Sequence, residues 1–416
     1  MTEIIYRTSR SRRVDLPDGV PIHAGAPKTR ASRARPRTLG APCAFGVPEQ
    51  NSRAGGECPS GALRSSHAFE PELHPSLLLA SSDRVYALGR LRWDLHDLGG
   101  ARVATGQRAA GSTWLDPSVF LQLDPMGLLR MRQPSDGVER AWLSLFMGNN
   151  FGRHFVAVHG ERLVVGGFEN VESAEHEHVP ELSSIELWSL EEPLNQAPTG
   201  QLRPGLEQPL LFNTAKLLTA SYDGGIVAAY EGRIVRIDWE LEVTSLLTGS
   251  FTPIALSLDE AGWTYLIVDE PAAEGSPAPT PTPAPARCLW IVAPSGERTV
   301  RVPLPAPLAT KARTPPIVGH DHRVIIVGGG ALLALDARGE LLFARRTSDA
   351  CPGAIITADD QLLVSDGADL VVIDPAGQRA VLRHFDDGAL VTAPVMDPSG
   401  DVLVATNETL HRLAHA

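Results

Sequence analysis

Residues 315–346 read PPIVGHDHRVIIVGGGALLALDARGELLFARR, and residues 353–385 read GAIITADDQLLVSDGADLVVIDPAGQRAVLRHF. Both stretches break into short apolar runs (VIIVG, ALLALD and LLFA in the first; AIIT, LLVS and LVVID in the second) separated by Asp/Gly corners. Runs of this length bounded by turn residues are the signature of short strands joined by hairpins. Asp336 and Asp374 stand 38 residues apart, and so do Gly339 and Gly377. A period near 40 with four strands per unit points to the blades of a propeller. One four-stranded sheet cannot bury both of its faces alone, whereas sheets stacked around an axis can, and they expose only short edges. The reading is therefore all-β: a single β-propeller of about eight four-stranded blades, with seven as the alternative.

Working back from these two units, the same texture recurs at roughly 75–109, 111–147, 153–202, 208–249 and 251–305. Three of these units carry LRWDLHD, IELWSLEE and CLWIVAP before a late turn, which places Trp93, Trp188 and Trp290 in one column of the repeat. Turns of the form Asp-x-x-Gly begin at Asp124, Asp259, Asp336, Asp374 and Asp397. In such a turn Asp caps its own backbone and Gly takes the position with positive φ. The last unit, from Val391 to His415, supplies only three strands. The ring then needs an outer strand from an N-terminal segment, and Glu3 to Arg7 (EIIYR) is the first candidate. Two insertions interrupt the rhythm: an acidic one at 169–183 and a Pro-rich one at 271–286, which cannot join a ladder and must stand off the sheet.

Residues 1–66 are rich in Arg, Ser, Pro, Gly and Ala with little periodicity, and read as a mostly disordered basic tail preceding a propeller over 67–416. This tail holds eleven Lys/Arg against five Asp/Glu, so the rest carries twenty-six against forty-four and the folded body is acidic. That balance argues against nucleic acid as a partner of the body, since phosphate binding needs a basic face. The basic run from Lys28 to Arg37 has several uses open to it, including folding back on the oppositely charged body. The start shows no apolar signal-peptide core and no run is long enough to cross a membrane as a helix, so cytoplasmic residence is the default expectation. Cys43, Cys58, Cys288 and Cys351 form no CxxC pair; unpaired thiols are expected, with a Cys43–Cys58 bridge in an oxidising compartment as the alternative.

The two units quoted first resemble the quinoprotein-like (PQQ-like) propeller repeats, a family that includes pyrroloquinoline-quinone dehydrogenases and a bacterial outer-membrane assembly lipoprotein. The resemblance is good over 313–414 and only patterned elsewhere. Within it, ALDARGELLF looks like the family's docking motif, whose tryptophan packs between blades. Phe343 stands at that tryptophan position, and a Leu or Arg does so in the next unit. A quinone dehydrogenase of the family is expected to carry an adjacent cysteine pair, which this chain lacks, so the resemblance implies a non-catalytic member.

Other chemistry is weakly indicated. His176-Glu177-His178 and His320-Asp321-His322 contain ligand types, but they fall in the acidic insertion and in an expected hairpin turn. Asp397 and Asn407 faintly resemble the channel ligands of lactonase-like propellers, yet both are explained as turn residues. Gly328-Gly329-Gly330 lies between two strands and reads as a hairpin, not a phosphate loop. No catalytic, cofactor-binding or metal-binding residue is assigned, and no cofactor is expected. The sequence favours a non-enzymatic scaffold with a protein partner. The alternative is a propeller enzyme, either a lactonase-like hydrolase or a quinone-dependent oxidoreductase, with its metal or cofactor in the central channel.

Overall fold

The computed structural model describes residues 37–39 and 57–415 with gaps, the longest at 145–154, 170–181, 190–199, 203–216, 272–285 and 309–314. The described strands pair antiparallel into eight sheets. Seven of these are successive four-strand meanders, which define blades 1 to 7 at 75–107, 111–144, 155–202, 217–248, 252–303, 317–346 and 353–384. Blade 8 takes three strands from 395–413 and its outer strand from Leu63–Ala68. The chain is an eight-bladed β-propeller, as the period of the C-terminal units indicates.

Ring closure by an N-terminal strand is present, but the segment is not the expected one. Leu63–Ala68 fills the slot, pairing Leu63 with Leu413, Ser66 with His411 and Ala68 with Thr409. Glu3 to Arg7 lies outside the described residues. The polar strand LRSSHA escapes a search for apolar patches because an outer strand is open to solvent and needs no apolar alternation. What selects it is proximity: only the link 69–74 separates it from the first strand of blade 1, so closing that loop costs little entropy. The propeller thus begins inside the stretch assigned to the tail. A further tail segment, Arg37–Leu39, pairs with Val156–Val158 as a fifth strand on the inner edge of blade 3; of the basic run, all but Arg37 lies outside the described residues.

The core lies between blades. In the strand Val324–Gly328, Val324 and Ile326 pack with Tyr265, Ile267 and Leu289 of blade 5. Ile325 and Val327 pack with Ala354, Ile356 and Val364 of blade 7. Side chains alternate across a strand, so a sheet buried on both faces reads as an unbroken apolar run. The same periodicity corrects the tryptophan column. Trp93, Trp188 and Trp290 all sit on the third strand of their blades. Trp93, however, lies four residues before Asp97, which opens its turn, while Trp290 lies three before Ala293, which opens the equivalent turn. The odd offset sends them to opposite faces: Trp93 meets Arg132 of blade 2 and Trp290 meets Leu246 of blade 4.

The Asp-x-x-Gly turns form as expected at Asp259, Asp336, Asp374 and Asp397, and also at Asp97. In each, the Gly amide donates to the Asp carbonyl at 2.8–3.1 Å. At Asp336 the carboxylate also accepts the amides of Arg338 and Glu340, both at 2.8 Å. The turn at Asp124 lies outside the described residues.

These glycines also dock the blades. Gly377 has φ +83, and a Cβ placed there would stand 2.6 Å from the Phe343 ring of the preceding blade. Gly339 meets Val300 and Val302 of blade 5 in the same way, Gly296 meets Leu246 of blade 4, and Gly100 meets His67 of the closing strand. Phe343, at the position of the family's tryptophan, is buried between blades 6 and 7. Its counterpart Leu382 packs on Gly61, just before the closing strand.

Gly377→Ala combines backbone strain with a steric clash and should cost about 2–5 kcal/mol in urea unfolding. Gly367 has φ +64 and its added Cβ would meet only Ser348 Cβ at an ordinary 3.8 Å, so Gly367→Ala should cost only about 1–2 kcal/mol. Equal costs would show that close docking is not what the turn glycine provides.

Candidate functional site

A meander fixes which connections share a face. Strand direction alternates, so the turns joining strands one to two and three to four lie at one face of the disc. The turns joining strands two to three, and the links to the next blade, lie at the other. The Asp-x-x-Gly turns described above all belong to the first face. Both insertions belong to the second: one connects Arg162–Glu169 to Leu182–Ser189 in blade 3, and the other connects Thr264–Glu270 to Ala286–Val292 in blade 5. The Gly328–Gly330 hairpin, Asn407 and Glu231 share this face by the same rule. Blade 4 alone separates the two insertions.

Some of the described polar clusters are joints between blades, while others, such as Arg287 with Asp269 and Arg301 with Glu270, tie strands within one blade. Between blades 1 and 2, Gln122 Nε2 donates to Tyr86 Oη at 3.2 Å while Arg132 Nε donates to Gln122 Oε1 at 2.9 Å. Between blades 5 and 6, buried Asp259 accepts the Tyr265 hydroxyl at 2.9 Å and lies 2.9 Å from His322 Nδ1. Between blades 6 and 7, Arg345 Nε donates to the Gly377 carbonyl at 2.7 Å. Sequence reading misses these joints because their partners lie on different blades.

The densest cluster holds the closing strand. Ser66 Oγ lies 2.9 Å from His411 Nδ1, and His411 Nε2 lies 3.0 Å from Asp387 Oδ2. Burial pushes the His411 imidazole below its usual range, against the pull of Asp387. Burial would raise the Asp387 carboxyl, but Thr409, Thr406 and His411 together hold it low. A neutral imidazole facing an ionised carboxylate donates from Nε2 and accepts the Ser66 proton at Nδ1. This is a Ser-His-Asp relay in composition. Ser66 sits on an exposed outer strand paired directly with His411, and the relay links that strand to the connection between blades 7 and 8. Nearby, Arg64 reaches buried Asp401 at 2.8 Å. Arg412 Nη2 donates to buried Asp397 at 2.9 Å, and its Nε lies 2.8 Å from Asp401 without the alignment of a hydrogen bond.

The residues with ligand chemistry do not converge. His176 and His178, like His320 and Asp321, lie outside the described residues, and His322 is engaged by Asp259. Asp397 and Asn407 stand at opposite ends of the strand Val402–Ala405, hence on opposite faces. Asp397 is consumed by its turn and by Arg412. Among the described residues no three His, Cys, Asp or Glu side chains group as a metal site. Cys58, Cys288 and Cys351 are free thiols. Burial pushes Cys351 up to about 12, and burial with Asp359 pushes Cys58 up to about 11, so neither is a thiolate at neutral pH. Cys43 lies outside the described residues. No described helix is long and apolar enough to cross a membrane.

Replacing Arg412 by Met leaves buried Asp397 without a cation and Asp401 with only the half-exposed Arg64, and should cost about 3–5 kcal/mol. A loss below about 1 kcal/mol would mean that the closure does not depend on this pair. Acidity should weaken the same seam. His411 and His96 both have imidazoles depressed by burial, so the unfolded chain binds more protons than the native one below the usual histidine range near 6.5. Their contribution is present at neutral pH and is lost as pH falls through the lowered folded values. Thermal midpoints should drop from pH 7.5 to pH 5.5, and drop less in a His96→Gln/His411→Gln variant; an unchanged slope would sink the assignment.

No family model matches the chain, and no curated protein matches it in sequence. Solved structures do match in shape. BamB from Moraxella catarrhalis aligns with a TM-score of 0.51 at 13% identity, over 85% of this chain and 99% of that one. Sqt1 from Saccharomyces cerevisiae aligns with a TM-score of 0.59 at 10% identity, over 85% of this chain and 100% of that one. The quinohemoprotein alcohol dehydrogenase ADHIIG from Pseudomonas putida aligns with a TM-score of 0.57 at 8% identity, over 88% of this chain and 78% of that one. At such identities the likeness is one of fold alone, and it agrees with the propeller expected from the repeat: this chain is a β-propeller.

Proposed function

We propose that the chain is a non-enzymatic scaffold that docks a protein partner on the face bearing the second-to-third-strand connections. The observation that carries this reading is the placement of the two insertions. Both leave the fold at the same type of connection, and therefore on one face, with a single blade between them. Neither insertion is needed to close its blade, because blades 6, 7 and 8 make the same connection in a few residues. The structural use of the described clusters at Tyr86, Asp259, Arg345 and His411 supports the same reading, since these groups already hold blades and strands together.

A partner capture from the source cell with the full chain, with residues 272–285 deleted, and with residues 170–181 deleted tests the proposal. At least one deletion should remove a stoichiometric partner while the thermal midpoint stays unchanged. Identical partners for all three proteins would remove the insertions from consideration. A stoichiometric metal by elemental mass spectrometry, or a quinone absorption band, would overturn the non-enzymatic assignment.

A further inference from the structure

The outer strands of three consecutive blades carry charge of one sign. Arg298–Pro303 in blade 5, Leu341–Arg346 in blade 6 and Arg379–His384 in blade 7 hold six arginines and no carboxylate, although the chain from residue 67 on is strongly acidic. Charges on an open edge discourage self-association whichever sign they have, so that need alone does not select arginine each time. Four of the six are engaged within the fold. Arg298 lies over the Trp290 ring at 4.7 Å, Arg301 pairs with Glu270, Arg345 binds the Gly377 carbonyl and Arg379 reaches Asp366. Arg346 and Arg383 make no ion pair among the described residues. Beside them stand Leu341, Leu342 and Val381, exposed by 62%, 48% and 50%. Among the described residues each outer strand has a ladder partner on one side only, so its other backbone edge is open.

We propose that the outer strand Leu341–Arg346, flanked by the outer strand of blade 7, docks an extended acidic polypeptide bearing apolar residues at alternate positions. The open backbone edge points to a polypeptide, because an extended backbone presents the matching row of amides and carbonyls that a lipid or nucleic acid lacks. The arginines select acidic side chains, and the exposed leucines and valine receive the apolar ones. This surface lies on the rim, apart from the face that carries the insertions, and does not depend on their role.

Fluorescence anisotropy of the full chain with a labelled peptide of alternating Glu and Leu tests the assignment. Saturable binding is expected, weakened at least about tenfold by Arg346→Glu with Arg383→Glu. High salt and methylation of the peptide backbone amides should weaken it similarly. Leu341→Ser with Leu342→Ser gives a second reading through exposed residues should the charge reversals fail to fold. The proposal is overturned by absence of binding, by equal affinity of the methylated or Lys-for-Glu peptide, or by indifference to both variants. Tighter binding of vesicles of anionic lipid or of an oligonucleotide would overturn it too.

Discussion

The distance of closest approach between blades governs this molecule. At the turn between the third and fourth strands the chain needs a positive φ, and at the same point the outer strand of the preceding blade must come within contact distance of the backbone. Glycine alone meets both demands. Gly377 against Phe343 and Gly339 against Val300 and Val302 are the clearest cases, and Gly296 and Gly100 repeat the arrangement. With that approach fixed, the alternating side chains of an inner strand such as Val324–Gly328 find apolar neighbours on each side. The core is then a ring of interblade layers with no single centre.

Ring closure follows the same rule with a borrowed strand. Leu63–Ala68 is held through Ser66 to His411, through Arg64 to Asp401, and by the fit of His67 against Gly100. A polar strand serves here because its outer side meets solvent, and because its hold comes from buried carboxylates and an imidazole on blade 8. The Ser-His-Asp composition of this clasp illustrates how residue identity alone misleads: the relay joins two strands and a connection, with its serine on an outer strand. The clusters at Tyr86, Asp259 and Arg345 serve the joints in the same way. The candidates for function are surfaces, namely the face with two insertions and the arginine-bearing rim.

Much of the fold could be read from the chain because its signals are local. The Asp turns at 259, 336, 374 and 397 and the alternation of buried runs act over four to eight residues, which is the range over which sequence is informative. Trp93 and Trp290 show where that range ends. Their strand was legible, but the face each meets depends on a one-residue offset to a turn, and Ala293 opens that turn without the usual Asp. The closing strand was illegible for a different reason. Its partner lies nearly 350 residues away, and LRSSHA carries no apolar pattern of its own.

The sequence by itself determined the class of structure, the repeat length, the position of the corners and the acidic balance of the body, because each follows from short-range backbone chemistry or simple composition. Tertiary structure decided which segment closes the ring, which face receives the insertions, which carboxylates are consumed in joints and which arginines line the rim. Those outcomes depend on strand direction, register and long-range pairing, which no local window of residues encodes.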